Sequence, residues 1–308
     1  MSIEELEKKR KKTLLIIGIT IVICIAIVFF YFILENPFNS THESLFDIIQ
    51  PTIPFLIVIV VLNVPTIVVY DRFVSAVKKY LFKDVLDDLL GNNYYYGKNE
   101  GISKNDIVET NSLYVHMIEG SDYIESSYKN IKFKMSDIKI IKIDRDSDGR
   151  ESERTIFIGQ WMIFDFNKYF KSNIQIWEKV SIGNIEKTKD FNLNKIEVED
   201  IEFGKKFDVF AQNDLEAYYV LTPSMIEKIK EVEKELNGVL LFVFLNNRLH
   251  VGIKRNKDLF KVSILNKIDL ESYKKLFYGD LSIIFKLIDL LNLDNSLFRL
   301  NTGLINTQ

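Results

Sequence analysis

Two uncharged apolar runs, residues 14–34 and 48–70, constrain this chain more than any other feature. Neither contains Asp, Glu, Lys or Arg. At about 1.5 Å of rise per residue, a helix through either run reaches across a hydrocarbon core of roughly 30 Å. The polar link between them is too short to form a domain. The pair predicts a helical hairpin in a membrane. A secretory signal also opens with basic residues before an apolar stretch. Here the first run is longer than a signal's apolar core. No small-x-small site follows residues 31–38, and a second run comes next. Both runs are therefore expected to stay as anchors.

The flanks set the orientation. Lys8, Lys9, Arg10, Lys11 and Lys12 precede the first run, and Arg72, Lys78, Lys79 and Lys83 follow the second. The link carries Glu35, His42, Glu43 and Asp47 and no lysine or arginine. An excess of cations marks the cytoplasmic side, so both ends are expected inside and the link outside. Within the hairpin, Asn63 and Pro65 are candidates for intramembrane packing, as a polar, kinked stretch that meets a partner. Prolines are also common in membrane helices, which accounts for Pro51, Pro54 and Pro65 without any special role. The lack of ionisable residues argues against an ion or proton path built from this chain alone.

Residues 71–92 are expected to form a juxtamembrane helix. Phe73, Val77, Tyr80, Leu81, Val85 and Leu89 recur at helical spacing, and Gly91 follows the helix as a stop. Arg72, Lys78, Lys79 and Lys83 are candidates for contact with anionic lipid headgroups. An ordinary solvated face explains the same lysines.

Residues 93–300 are expected to be a cytoplasmic α+β domain and residues 301–308 a polar tail. The 308 residues carry a formal net charge of −3, which argues for no nucleic-acid partner. The lone cysteine, Cys24, lies in the first apolar run, so there is no disulfide framework and no cysteine-based zinc site. Alternation predicts strands at 130–135, 139–144, 154–166 and 174–180, with 154–166 at the centre of the sheet. A polar loop is expected over 181–194. Residues 225–236 predict an amphipathic helix, with Thr222, Pro223 and Ser224 capping it and Asn237 and Gly238 stopping it. Residues 239–245 and 249–253 read as two strands with a tight turn at Asn246, Asn247 and Arg248. Two further helices are expected over 270–278 and 281–293. Strands first and helices later suggest a largely antiparallel sheet with C-terminal helices.

The candidate chemistry is acidic. Asp144, Asp146 and Asp148, followed by Gly149, match the opening of a calcium loop. The match then fails, because Thr155 stands where the bidentate glutamate belongs. A charged hairpin tip explains the triad equally well, so it is kept as a weak metal candidate. Asp165, between Phe164 and Phe166, has the setting of a desolvated catalytic acid. Pairing with Lys168 explains it more simply. Tyr94, Tyr95 and Tyr96 offer stacking faces, although three adjacent aromatics more often alternate between core and solvent. His250 lies among alternating apolar residues and reads as a sheet or core histidine. No catalytic residue set and no cofactor is expected, since nucleotide loops, zinc-protease motifs and nucleophile elbows are missing.

Three segments resemble the DUF3137 family of bacterial membrane-anchored proteins. The first runs from Thr155, Ile156, Phe157, Ile158 and Gly159 to Phe164, Asp165, Phe166, Asn167 and Lys168. The second runs from Glu202 and Phe203 through Phe207, Asp208 and Val209 to Glu216, Ala217, Tyr218, Tyr219, Val220, Leu221, Thr222 and Pro223. The third comprises residues 244–253 with Asp258, Leu259 and Phe260. The resemblance covers the chain from the lysine-rich start to about Phe260. It implies a multi-pass protein of the bacterial inner membrane with a cytoplasmic α+β domain, and no activity. It also suggests a LemA-like membrane protein as a partner, beside the lipid bilayer and a second copy of the chain. Three functional expectations follow. The first is a membrane-anchored scaffold, interaction or sensing module. The second is a metal-dependent enzyme with a dispersed acidic site. The third is a subunit of a transport assembly.

Overall fold

The structure, a computed structural model, describes residues 3–35, 45–179, 192–255 and 262–291. The link around His42 and Glu43, most of the polar loop, Asp258 to Phe260 and the tail lie outside the described residues. The chain divides into two compact units. One comprises Met1–Val85 and Lys261–Leu276, the other Leu86–Phe260 and Phe277–Gln308.

In the first unit, α1 (Ile3–Glu35) and α2 (Leu45–Leu90) form an antiparallel pair. Helix α1 begins well before the apolar run. Glu4 and Glu5 occupy its first turn, where negative charge complements the helix dipole. Lys8 to Lys12 therefore lie within α1. Helix α2 is 46 residues long and joins the second apolar run to residues 71–90 without a break. At the basic end of the pair, Leu6, Phe73, Val77, Leu81 and Phe82 are buried, with Val262 and Ile268 buried in the returning segment. Glu7 and Arg10 fasten that segment. Arg10 donates to the carbonyls of Ile264 at 3.1 Å and Leu265 at 3.3 Å, while Glu7 accepts from the Ile268 amide at 2.6 Å. The two side chains pair with each other at 2.9 Å.

The second unit is a mixed α+β fold around an antiparallel sheet. After β1 (Tyr94–Gly97), the short α3 (Lys104–Val108) starts at the Ser103 cap, whose hydroxyl accepts from the Asp106 amide. The strands β2 (Met117–Tyr128), β3 (Ile131–Arg145) and β4 (Glu151–Glu178) follow. Then come β5 (Asn194–Ile196), α4 (Ile201–Lys206), β6 (Phe207–Ala211), α5 (Asp214–Val220), α6 (Pro223–Glu235), β7 (Val239–Lys254) and α7 (Leu270–Leu290), of which the part from Phe277 belongs to this unit. The order is β1-β2-β3-β4-β6-β5, with β7 also paired to β4. The 28-residue β4 is the spine. Its first half pairs with β3, its last residues with β6, and its middle and end with β7.

Two cores result from the alternation along β4. One face carries Trp161, Ile163 and Trp177, which cluster with Ile138, Ile140, Leu241, Val243 and with Ile102, Ile107 and Leu113 of the covering segment. That segment is pinned by hydrogen bonds. Asn173 and Gln175 donate to the Thr110 carbonyl at 2.6 and 3.0 Å, and the Ile102 amide donates to Ser136. On the opposite face, Met162, Phe164, Ile174, Ile176, Phe242, Phe244 and Val251 are buried. Helices α6 and α7 each bury one stripe, including Ile226 and Ile229, and Leu281, Ile284 and Ile288.

Three expectations are corrected. Residues 246–248 do not turn a hairpin. Strand β7 is continuous, and Asn246 (φ 54°) sits opposite Phe170 where the register with β4 shifts. A turn-forming residue marks an irregularity here because β4 supplies the partner strand along the whole length. Residues 154–166 and 174–180 are parts of one strand as far as Glu178, with Val180 outside the described residues. Two short helices, residues 201–206 and 214–220, are capped by Asp200 and Asn213. Residues 270–290 form one helix. Gly279 and Asp280 suggested a break, but the buried stripe from Phe277 to Ile288 runs straight past them.

Candidate functional site

The hairpin presents apolar side chains all round. Both of its helices are long and apolar enough to cross a membrane, and their apolar stretches are almost entirely unburied within the chain. Val22 is 66% exposed, Phe29 67%, Val60 66% and Ile67 65%. Such a surface in water costs roughly 25 cal/mol per Å² of apolar area. The polar groups of these stretches turn toward the helix pair. Asn63 donates to the Ile59 carbonyl at 2.8 Å and to Cys24 Sγ at 3.7 Å. The Thr20 and Thr66 hydroxyls meet at 2.9 Å, and Tyr31 packs edge-on against Phe55. Pro65 is exposed on the outer side of α2, which remains helical through it.

The same contacts fix the register of the two helices and so the position of their charges. With Thr20 level with Thr66 and Cys24 with Asn63, Lys8 to Lys12 lie at the end that carries Arg72 to Lys83. Arg72, Lys79 and Lys83 are exposed, and Lys78 is half-buried.

The acidic candidates fall in separate places. Asp144, next to last in β3, stands opposite Ser152 of β4, whereas Asp165 stands opposite Arg248 of β7. Those two positions on β4 are roughly 40 Å apart at the rise of an extended strand. Asp144 is held between Arg154 and Lys142, each at 2.9 Å, and Arg154 first, then Lys142, lowers its pKa. Asp146 shapes the turn. Its Oδ1 accepts from the amides of Asp148 at 3.0 Å and Arg150 at 2.8 Å, and Gly149 (φ 78°) closes the turn onto the Asp146 carbonyl. Asp148 is exposed. Among the described residues, no group of three His, Cys, Asp or Glu side chains is placed to hold a metal ion. Asp146→Ala is expected to remove about 1 kcal/mol of stability, a drop of roughly 2–4 °C in melting temperature for a domain of this size. A melting scan that shows no change removes the turn-forming role.

The three tyrosines are engaged within the fold. Tyr94, Tyr95 and Tyr96 donate to Asp87, Glu100 and Asp122. Burial, then Asp87, pushes the Tyr94 phenol up to about 12. A cleft of about 400 Å³ lies over Glu119, Ser121, Asp137, Lys139 and Gly159. Lys139 there is paired with Glu119 at 3.1 Å, and no histidine or cysteine lines it.

One cluster escaped the sequence reading. His250 is fully buried behind a charged rim. Trp161 Nε1 donates to its Nδ1 at 3.4 Å, and its Nε2 faces Glu109 Oε1 at 3.7 Å. Arg248 closes the rim, 3.1 Å from both Asp106 and Glu109 and 4.0 Å from Asp165. The side chain of Lys168 lies outside those described. Burial first, and Arg248 second, lower the His250 pKa to about 4 against the opposing pull of Asp106. The ring is fully buried between Trp161 and the Arg248–Glu109 pair. Pattern alone shows that His250 alternates with apolar residues, but the partners come from 89 and 141 positions away along the chain.

Comparison with known proteins gives one family-model match, over less than half of the chain, and one solved structure. Residues 155–293 match the family model described as a protein of unknown function, DUF3137. The match takes in all three segments that carried the sequence resemblance and extends through α7. It begins in β4, so the hairpin is not part of it. No curated protein matches the chain. A solved structure, the crystal structure of the mycobacterial trehalose monomycolate transport factor A, TtfA, is 9% identical. It covers 65% of this chain and 88% of its own, with a TM-score of 0.39.

Proposed function

We propose that the chain is a membrane-anchored module of the bacterial inner membrane, its hairpin spanning the bilayer twice and its α+β domain lying in the cytoplasm. In this reading it works as a scaffold, interaction or sensing element, with a LemA-like membrane protein or a second copy as partner. The carrying observation is the exposed apolar surface of α1 and α2, which no part of the described chain covers and which hydrocarbon accommodates without cost. The gathering of cations at one end supports the orientation, both helix ends in the cytoplasm.

Carbonate extraction and cysteine labelling test the anchor and its sidedness. In the full chain with Cys24→Ser, single variants Ser40→Cys and Ser152→Cys are exposed to a membrane-impermeant maleimide. The protein is expected in the carbonate-resistant pellet. Ser40→Cys is expected to label in intact spheroplasts and Ser152→Cys only after lysis. Carbonate-soluble protein rejects the anchor, and labelling of Ser152→Cys in intact spheroplasts rejects the orientation. Cross-linking in native membranes followed by purification tests the recruiting role, which recovery of this chain alone would contradict.

A further inference from the structure

We infer that the basic end of the hairpin is a belt for anionic lipid headgroups, assembled from both helices; the inference rests on the membrane reading above. Residues 8–12 and 70–83 together contain nine lysines and arginines and a single carboxylate, that of Asp71. Arg10 is withdrawn from the surface, buried against Glu7 and the carbonyls of Ile264 and Leu265. The others stand around the two helices, with Lys8, Lys9, Lys11, Lys12, Arg72 and Lys79 exposed. Neither helix alone supplies the whole set: five cations come from α1 and four from α2. The antiparallel register set by Thr20 with Thr66 and Cys24 with Asn63 brings the two groups to one level.

Axial positions grade the belt. Counted from Leu14 and Tyr70 at about 1.5 Å per residue, Lys12 and Arg72 lie about 3 Å beyond the apolar limit. On the same scale Lys8 and Lys9 lie at about 8–9 Å, Lys78 and Lys79 at about 12–14 Å, and Lys83 at about 20 Å. The headgroup layer is roughly 5–7 Å thick, and charges are screened over about 8 Å at physiological salt. Every member but Lys83 therefore falls within reach of lipid phosphates. The partner is an anionic phospholipid and not a soluble anion, because the cations ring an apolar span where phosphates are held in a plane.

The test is lipid selectivity around the full-length protein in mixed phosphatidylcholine and phosphatidylglycerol vesicles. Spin-labelled versions of each lipid report the motionally restricted shell. At low salt the labelled phosphatidylglycerol is expected to be enriched roughly five-fold over phosphatidylcholine, the factor that one good lysine–headgroup contact supplies. The ratio is expected to fall toward one in high salt and in the variant K8Q/K9Q/K11Q/K12Q/R72Q/K79Q. Lys83→Gln is expected to keep the wild-type ratio. Inorganic phosphate at constant ionic strength is expected to leave the ratio unchanged, and its collapse would reassign the belt to a soluble anion and overturn the lipid partner. A wild-type ratio of one, or an unchanged ratio in the six-site variant, overturns the belt. Carbonate extraction of the same vesicles separates the two levels. Retained protein with a ratio of one removes the belt alone, and extracted protein removes the membrane reading with it.

Discussion

Gly159→Ala is expected to destabilise the sheet domain by about 3–5 kcal/mol, combining overpacking with backbone strain, or to prevent its accumulation. Gly159 lies in β4 where β3 and β7 flank it, opposite Ile138 and Lys254. Its φ is 156°, and a Cβ built there falls 2.0 Å from the Ile253 carbonyl oxygen and 2.9 Å from the Arg255 amide nitrogen. These are backbone atoms of the neighbouring strand, so no side chain is free to give way. The Arg255 amide also donates to the Ile158 carbonyl at 2.7 Å, which ties the two strands at that point. Relief requires β7 to move off β4. Gly149→Ala is the control. Its φ of 78° carries a backbone penalty of about 1 kcal/mol for alanine, but its Cβ meets open space. Urea melts followed by tryptophan fluorescence compare the two, since both tryptophans are buried in this domain. Equal losses in the two variants reject the close-approach account.

Acidification is expected to cost the wild-type domain stability through His250, and His250→Gln is expected to blunt that loss. The folded-state pKa of His250 lies near 4, below the ordinary 6.5. Between those values the unfolded chain binds a proton that the folded chain refuses. The contribution is thus present above pH 6.5 and is lost as pH falls toward 4, by about 3 kcal/mol over the full window. Arg248, Asp106, Glu109 and Trp161 face the imidazole and are common to both proteins. Asp280 acts with the opposite sign. Burial raises its carboxyl to about 6 against the pull of Arg255, so the folded form takes up a proton first as pH falls from 6 and gains stability. That gain is equal in wild type and variant and cancels in the comparison. Urea midpoints at pH 7, 5.5 and 4.5 are expected to converge between the two proteins as pH falls. Parallel pH dependences reject the role of His250.

Legibility in the sequence followed the range of the interactions. The apolar runs were readable because a bilayer-length stretch without charge is a local property, and the same holds for α6, whose cap at Thr222 and stripe at Ile226 and Ile229 recur within a few residues. The triad Asp144, Asp146 and Asp148 was readable as acidic but ambiguous in role. Its partners Lys142, Arg154 and Arg150 are close in sequence, yet only the β3–β4 register shows that they are used. The turn expected at Asn246 and Asn247 failed for a similar reason. A left-handed residue serves a hairpin or a bulge equally well, and the choice depends on β4, some seventy-five residues earlier.

By itself the sequence determined two long apolar helices, the cationic flanks at their ends, and a mixed domain rich in alternating strands, because burial period and charge are properties of neighbouring residues. Only the tertiary structure decided that β4 is one spine shared by three partners, that His250 is sealed beneath Arg248 and Glu109, and that Lys8 to Lys12 stand level with Arg72 to Lys79. Each of those depends on register between segments distant in the chain. Register is set by packing and hydrogen bonds that no single segment contains.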